Sequence, residues 1–118
     1  MTTVTIVKSG NGAYTGLHVS GHAMYAQAGS DIVCAAVSML TINTVNSIDQ
    51  FTDDHVTVSQ DEETGILEAS FAGKGGQISK ETALLMQSFE MGVTELAKQY
   101  KEVQVQVVKR GSDHVNAI

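Results

Sequence analysis

The chain has 118 residues, of which 42% are hydrophobic and 17% charged, a balance that fits one globular domain over 1–118 and excludes a disordered chain. A net charge of −6 argues against a bare nucleic-acid binder, because phosphate neutralisation needs a basic surface and only Lys109-Arg110 forms a basic pair. A single cysteine excludes an internal disulfide and a Cys-rich zinc site, and no cofactor or metal is expected.

Met1-Thr2-Thr3-Val4 shows no basic region followed by an apolar stretch, so no signal peptide is expected. No apolar run is expected to reach the roughly 20 residues that span a bilayer. The expected setting is a reducing cytoplasm.

Thr2 to Lys8 alternates, with Val4 and Ile6 on one face and Thr3 and Thr5 on the other, and predicts a half-buried strand. Ser9-Gly10-Asn11-Gly12 is a turn signal, and Tyr14 to Ser20 runs back as a second strand. Residues 21–31 are rich in small side chains (Gly21, Ala23, Ala26, Ala28, Gly29, Ser30) and read as a loop that lets a ligand approach the backbone closely. Met24 to Ala28 is alternatively a turn of helix.

From Ile32 to about Ile48 the chain is apolar on nearly every side, the pattern of a central buried helix, with Ser30 or Asp31 as its N-cap. Val56 to Gln60 and Gly65 to Phe71 form two more strands, joined by the acidic turn Asp61 to Gly65; Asp53-Asp54 reads as another solvated acidic feature. Ser79 caps a second helix running to about Tyr100, whose apolar positions Leu85, Phe89, Val93, Leu96 and Tyr100 recur every three to four residues. Glu102 to Val108 alternates as a last strand, and 111–118 is a loose tail. The order ββαββαβ predicts an α+β two-layer sandwich: a mainly antiparallel sheet with two helices on one face.

Cys34 falls in the first turn of the first helix. Backbone N–H groups at a helix start favour negative charge, so a thiol there ionises more readily and the same groups suit a developing oxyanion. His22 is a candidate proton acceptor, since an imidazole is matched to a thiol near neutral pH. The alternative is equally simple: Cys34, between Val33 and Ala35, is a small core residue, and His22 a solvated loop residue. Asp31 is a candidate to orient His22, but the N-cap role competes with it. The spacing of His18, His22 and Asp31 matches no strong zinc pattern, His18 is expected to be exposed, and Met86 and Met91 read as core or interface filler.

Ser20-Gly21-His22-Ala23 followed by Gly29-Ser30-Asp31-Ile32-Val33-Cys34-Ala35-Ala36-Val37-Ser38 resembles the signature of the ribosomal-processing cysteine proteases, the Prp family, and Thr44-Val45-Asn46-Ser47 is similar to the same family's helix. The resemblance implies a cysteine endopeptidase that removes a short N-terminal extension from a bacterial large-subunit ribosomal protein and so supports ribosome assembly. It implies Cys34 as nucleophile and His22 as its proton donor and acceptor, with Gly21, Ala23, Met24, Gly29, Asp31 and Ser38 as candidates around the substrate. It also implies homodimers, a mobile His–Cys loop until substrate arrives, and a hydrophobic, aromatic-containing peptide on a basic ribosomal protein. The acidic balance of the chain suits that partner. No nucleic acid or membrane is expected to bind directly. Met24 stands where the family often has glycine, which bears on the peptide groove rather than on the Cys–His pair.

Two other readings compete. One is a non-catalytic assembly module that binds a basic ribosomal protein and keeps Cys34 in its core; the other is a thiol hydrolase of small acyl substrates.

Overall fold

In the computed structural model, which describes residues 1–21, 32–61 and 63–110, five strands and two long helices follow the order ββαββαβ. The strands are β1 (Thr2–Ser9), β2 (Tyr14–Ser20), β3 (His55–Asp61), β4 (Ile66–Ala72) and β5 (Val103–Arg110). The helices are α1 (Ile32–Phe51) and α2 (Lys80–Gln99), with a short 3-10 turn at Lys74–Gly76 before α2. The expected tail at 111–118 lies outside the described residues.

The strands form one sheet in the order β3-β4-β2-β1-β5. Both hairpins pair antiparallel, as does β2 with β4, but β5 joins β1 in parallel with Thr2 opposite Val103. A parallel pairing needs a crossover, and α2 supplies it.

Alternation along the strands sorts the two faces. Val4, Ile6, Leu17, Val19, Leu67, Ala69 and Phe71 are buried and face the helices, where they meet Val37, Val45 and Ile48 of α1 and Met86, Phe89 and Val93 of α2. Each fully buried aliphatic or aromatic side chain contributes about 1.5–3 kcal/mol relative to exposure. The opposite face carries a polar row across all five strands: Ser59, Glu68, His18, Thr5 and Gln106 stand side by side by register. Gln106 Nε2 donates to Thr5 Oγ1 at 2.9 Å within that row. His18 is half-buried there rather than exposed, because its strand is internal to the sheet.

Several sequence expectations change. α1 is not buried all round: Ile32 (79% exposed), Met39 (66%) and Ile42 (38%) stand out, and with exposed Ala35 they recur every three to four residues along one side. α1 is also long and apolar enough by composition to cross a membrane, contrary to the expected absence of such a run, yet its other side packs into the core. Polar Thr41 is tolerated in that buried side because its hydroxyl donates to the Val37 carbonyl at 2.7 Å.

Asp54 is not a solvated turn residue. It is buried, and its Oδ2 accepts the Ser79 N–H at 2.9 Å and the Ser79 hydroxyl at 2.8 Å. Ser79 Oγ in turn accepts from the Thr82 N–H at 3.2 Å, capping α2 as the sequence predicts. Tyr100 leaves the apolar face because α2 ends at Gln99 and Tyr100 is its C-cap.

Candidate active site

Cys34 is the third residue of α1, in its first turn as expected, and is 4% exposed. The turn contains no acidic residue, so no side-chain carboxylate within it offsets the positive end of the helix dipole. Val33 and Val37 flank the thiol on the buried side of the helix. Ser38, four residues on and half-buried, lies on the same side of α1.

The sulfur meets the first strand of the sheet. Thr2 Oγ1 lies 3.9 Å from Cys34 Sγ, and Thr2 is itself 3% exposed. The alternation that buries Val4 and Ile6 brings Thr2 to the same face, at the end of β1 nearest the start of α1. The Thr2 N–H donates to the Glu102 carbonyl at 2.8 Å, which fixes the β1 end against the turn leading into β5.

Gly21 reaches the same place from β2. It follows the last residue of the strand with φ +107°, a conformation that favours glycine. A Cβ there would overlap the Met1 carbonyl oxygen and lie 3.0 Å from Thr2 Cα. Thr2 is therefore in contact with both Gly21 and Cys34. Of the residues singled out from sequence, the structure brings Gly21, Cys34 and Ser38 to one end of the sandwich. His22, Ala23, Met24, Gly29 and Asp31 lie outside the described residues.

The described histidines are elsewhere. His18 lies on the polar face of the sheet, across from the layer that holds Cys34, and His55 is exposed at the start of β3. Among the described residues no group of three His, Cys, Asp or Glu side chains is placed to hold a metal ion.

Sequence reasoning missed Thr2. Its hydroxyl breaks the buried register of Val4 and Ile6, and that polar residue in an apolar alternation was the available signal.

The described site is a sheltered thiol in the first turn of the central helix of an α+β sandwich, a placement that suits a nucleophile at a helix start. Residues 1–106 match the family model for the cysteine protease Prp, and the chain belongs to that family. It is a cysteine protease of the ribosomal-processing type. The chain is 26% identical over 102 residues to the ribosomal processing cysteine protease Prp of Staphylococcus aureus, a match covering 86% of this chain and 93% of that protein. Among solved structures, SMU.848 from Streptococcus mutans superposes with a TM-score of 0.80 at 29% identity, covering 93% of this chain and 96% of the other. The S. aureus protease Prp with a covalently linked product peptide superposes at TM-score 0.77 and 24% identity over 93% and 100% of the two chains, and so shares the fold.

Proposed function

We propose that this protease cleaves the N-terminal extension of a bacterial large-subunit ribosomal protein, with Cys34 as nucleophile and His22 as proton donor and acceptor. The observation that carries the residue assignment is the contact chain from Gly21 through Thr2 to Cys34. His22 follows Gly21 directly in the sequence. The described alternatives, His18 and His55, stand away from the thiol.

The chemistry follows from these groups. His22 takes the Cys34 proton, and the thiolate attacks the scissile carbonyl carbon. The tetrahedral oxyanion forms at the positive end of the α1 dipole, which stabilises it. His22 returns the proton to the leaving amine as the C–N bond breaks, leaving a thioester on Cys34. Water, deprotonated by His22, releases the acid and regenerates the thiol. Because Cys34 is only 4% exposed, substrate binding rearranges the site locally, which limits stray proteolysis.

The ribosomal substrate is supported by the family and by a net charge of −6, which attracts a basic polypeptide. The enzyme acts in the cytoplasm, where its single thiol stays reduced. It works as a homodimer whose subunits meet through the exposed side of α1; Ile32, Ala35, Met39 and Ile42 at helical spacing support this reading.

The test incubates the enzyme with a ribosomal-protein precursor that carries its extension. Wild type removes the extension, whereas Cys34→Ala and His22→Ala leave it intact while Cys34→Ala still binds the peptide. Cleavage by Cys34→Ala at the wild-type rate would remove Cys34 from the mechanism. Faster hydrolysis of a simple thioester than of any peptide would point to small acyl substrates.

A further inference from the structure

Thr2 occupies a position that the strand pattern reserves for an apolar side chain. Val4 and Ile6 on the same face are fully buried, and Thr2 is 3% exposed. Threonine and valine have nearly the same shape, so packing alone favours valine here; a buried hydroxyl is unfavourable unless it is hydrogen-bonded. Among the described residues the Thr2 hydroxyl has one such partner, the Cys34 sulfur at 3.9 Å.

We infer that Thr2 is a positioning residue for the reaction: its buried hydroxyl donates a hydrogen bond to Cys34 Sγ, orienting the sulfur and stabilising the thiolate. This rests on Cys34 being the nucleophile.

The physical case has three parts. A neutral thiol is a weak donor and a weak acceptor, whereas a thiolate is a charged acceptor, and hydrogen bonds to charged groups are roughly twice as strong as neutral ones. At 3.9 Å the contact is long for the neutral pair and has room to shorten when charge develops. The donor is also pre-placed. Thr2 is held by its N–H bond to the Glu102 carbonyl and by its pairing with Val103, and its β-branched side chain has few rotamers to lose. The hydroxyl is therefore set before substrate arrives, as electrostatic stabilisation requires.

Among the described residues the ionisable groups at this end of the sheet are the Met1 α-ammonium, Lys101 and Glu102 in the turn entering β5, Lys98 in the last turn of α2, and Asp61 and Glu63 where β3 turns into β4; the first turn of α1 adds no carboxylate, and His22 and Asp31 lie outside the described residues. A change confined to the Thr2 hydroxyl leaves all of them in place, so the comparison isolates the hydrogen bond.

The single cysteine makes the test direct. Native protein is alkylated with iodoacetamide across pH and followed by intact mass, for wild type, Thr2→Val and Thr2→Ser. The midpoint of the pH–rate profile should rise by about 0.5–1 pH unit in Thr2→Val and return toward wild type in Thr2→Ser. Thr2→Val should melt at the wild-type temperature or above, which a merely structural role for the hydroxyl would not produce. Thr2→Ala repeats the comparison with a smaller side chain and should move the midpoint in the same direction. An unchanged or lower midpoint in Thr2→Val overturns the role of Thr2 while leaving Cys34 as nucleophile. Failure of wild type to react at any pH without denaturant makes Cys34 a core thiol, and removes both the nucleophile assignment and this one.

Discussion

Gly21 and Met1 are in backbone contact: at φ +107° Gly21 closes β2 so tightly onto the start of β1 that a Cβ would overlap the Met1 carbonyl oxygen. The glycine that precedes His22 is thus required by the fold. The contact also fixes where the chain leaves the sheet, one residue before the proposed proton acceptor and beside the strand end that touches Cys34.

Gly21→Ala should therefore be costly twice over, through backbone strain and through overlap with the β1 backbone. The expected loss is roughly 2–5 kcal/mol of unfolding free energy, with peptide cleavage reduced by more than the unfolded fraction accounts for. Denaturant unfolding together with a cleavage assay on the folded fraction checks both parts. A fully stable and fully active Gly21→Ala would show that the β2 exit tolerates another backbone path.

Asp54 links the end of α1 to the start of α2. Burial raises its carboxyl pKa, but hydrogen bonds from Thr82 and from the Ser79 backbone and hydroxyl outweigh that and hold it below the usual value of 3.8. A depressed folded value favours the native state above the unfolded value, and this stabilisation is lost as pH falls through the folded one. Asp54→Ala should cost about 1–3 kcal/mol at neutral pH. Asp54→Asn should flatten the acid limb of the stability profile below about pH 4, as read by thermal melts across pH.

Tyr14 should resist ionisation. Burial first, then the 2.6 Å hydrogen bond it donates to Glu90 Oε1 and the charge on that carboxylate, push its phenol up to about 12 from 10.0. Its contribution to stability is complete below pH 10 and is lost as pH rises from 10 to about 12. Absorbance titration near 295 nm, with Tyr14→Phe to assign the phase, should show Tyr14 ionising late. Glu90→Gln should bring that phase part of the way back, because burial remains.

The exposed side of α1 tests the proposed dimer. Met39, 66% exposed, lies midway along the apolar row between Ala35 and Ile42. Met39→Glu should shift the protein from dimer to monomer in sedimentation velocity with its circular dichroism unchanged, since the side chain supports no core contact. Wild type running as a monomer at every concentration would remove the homodimer.

The alternation of Val4 and Ile6, the turn at Ser9 to Gly12, the Ser79 cap and the period of Phe89 and Val93 each signal a local element, because each depends on neighbours within a few residues in sequence. They suffice for the order ββαββαβ, and the words around His22 and Cys34 suffice for the family. Three features were not legible there. The parallel union of β1 with β5 depends on a pairing about 100 residues apart. Asp54 looks like any acidic turn residue until Ser79, 25 positions on, arrives to be capped. The single apolar side of α1 left to solvent exists only because the sheet and α2 cover the rest.

The same division runs through the site. Local sequence by itself determined that Cys34 opens a helix and that a glycine precedes His22, since caps, turns and helix starts are short-range chemistry. Only the tertiary structure decided that Thr2 meets Cys34 across 32 positions and that Gly21 is pinned by Met1. Those contacts join strand ends to a helix start through the closure of the sheet, and no local pattern encodes which ends meet.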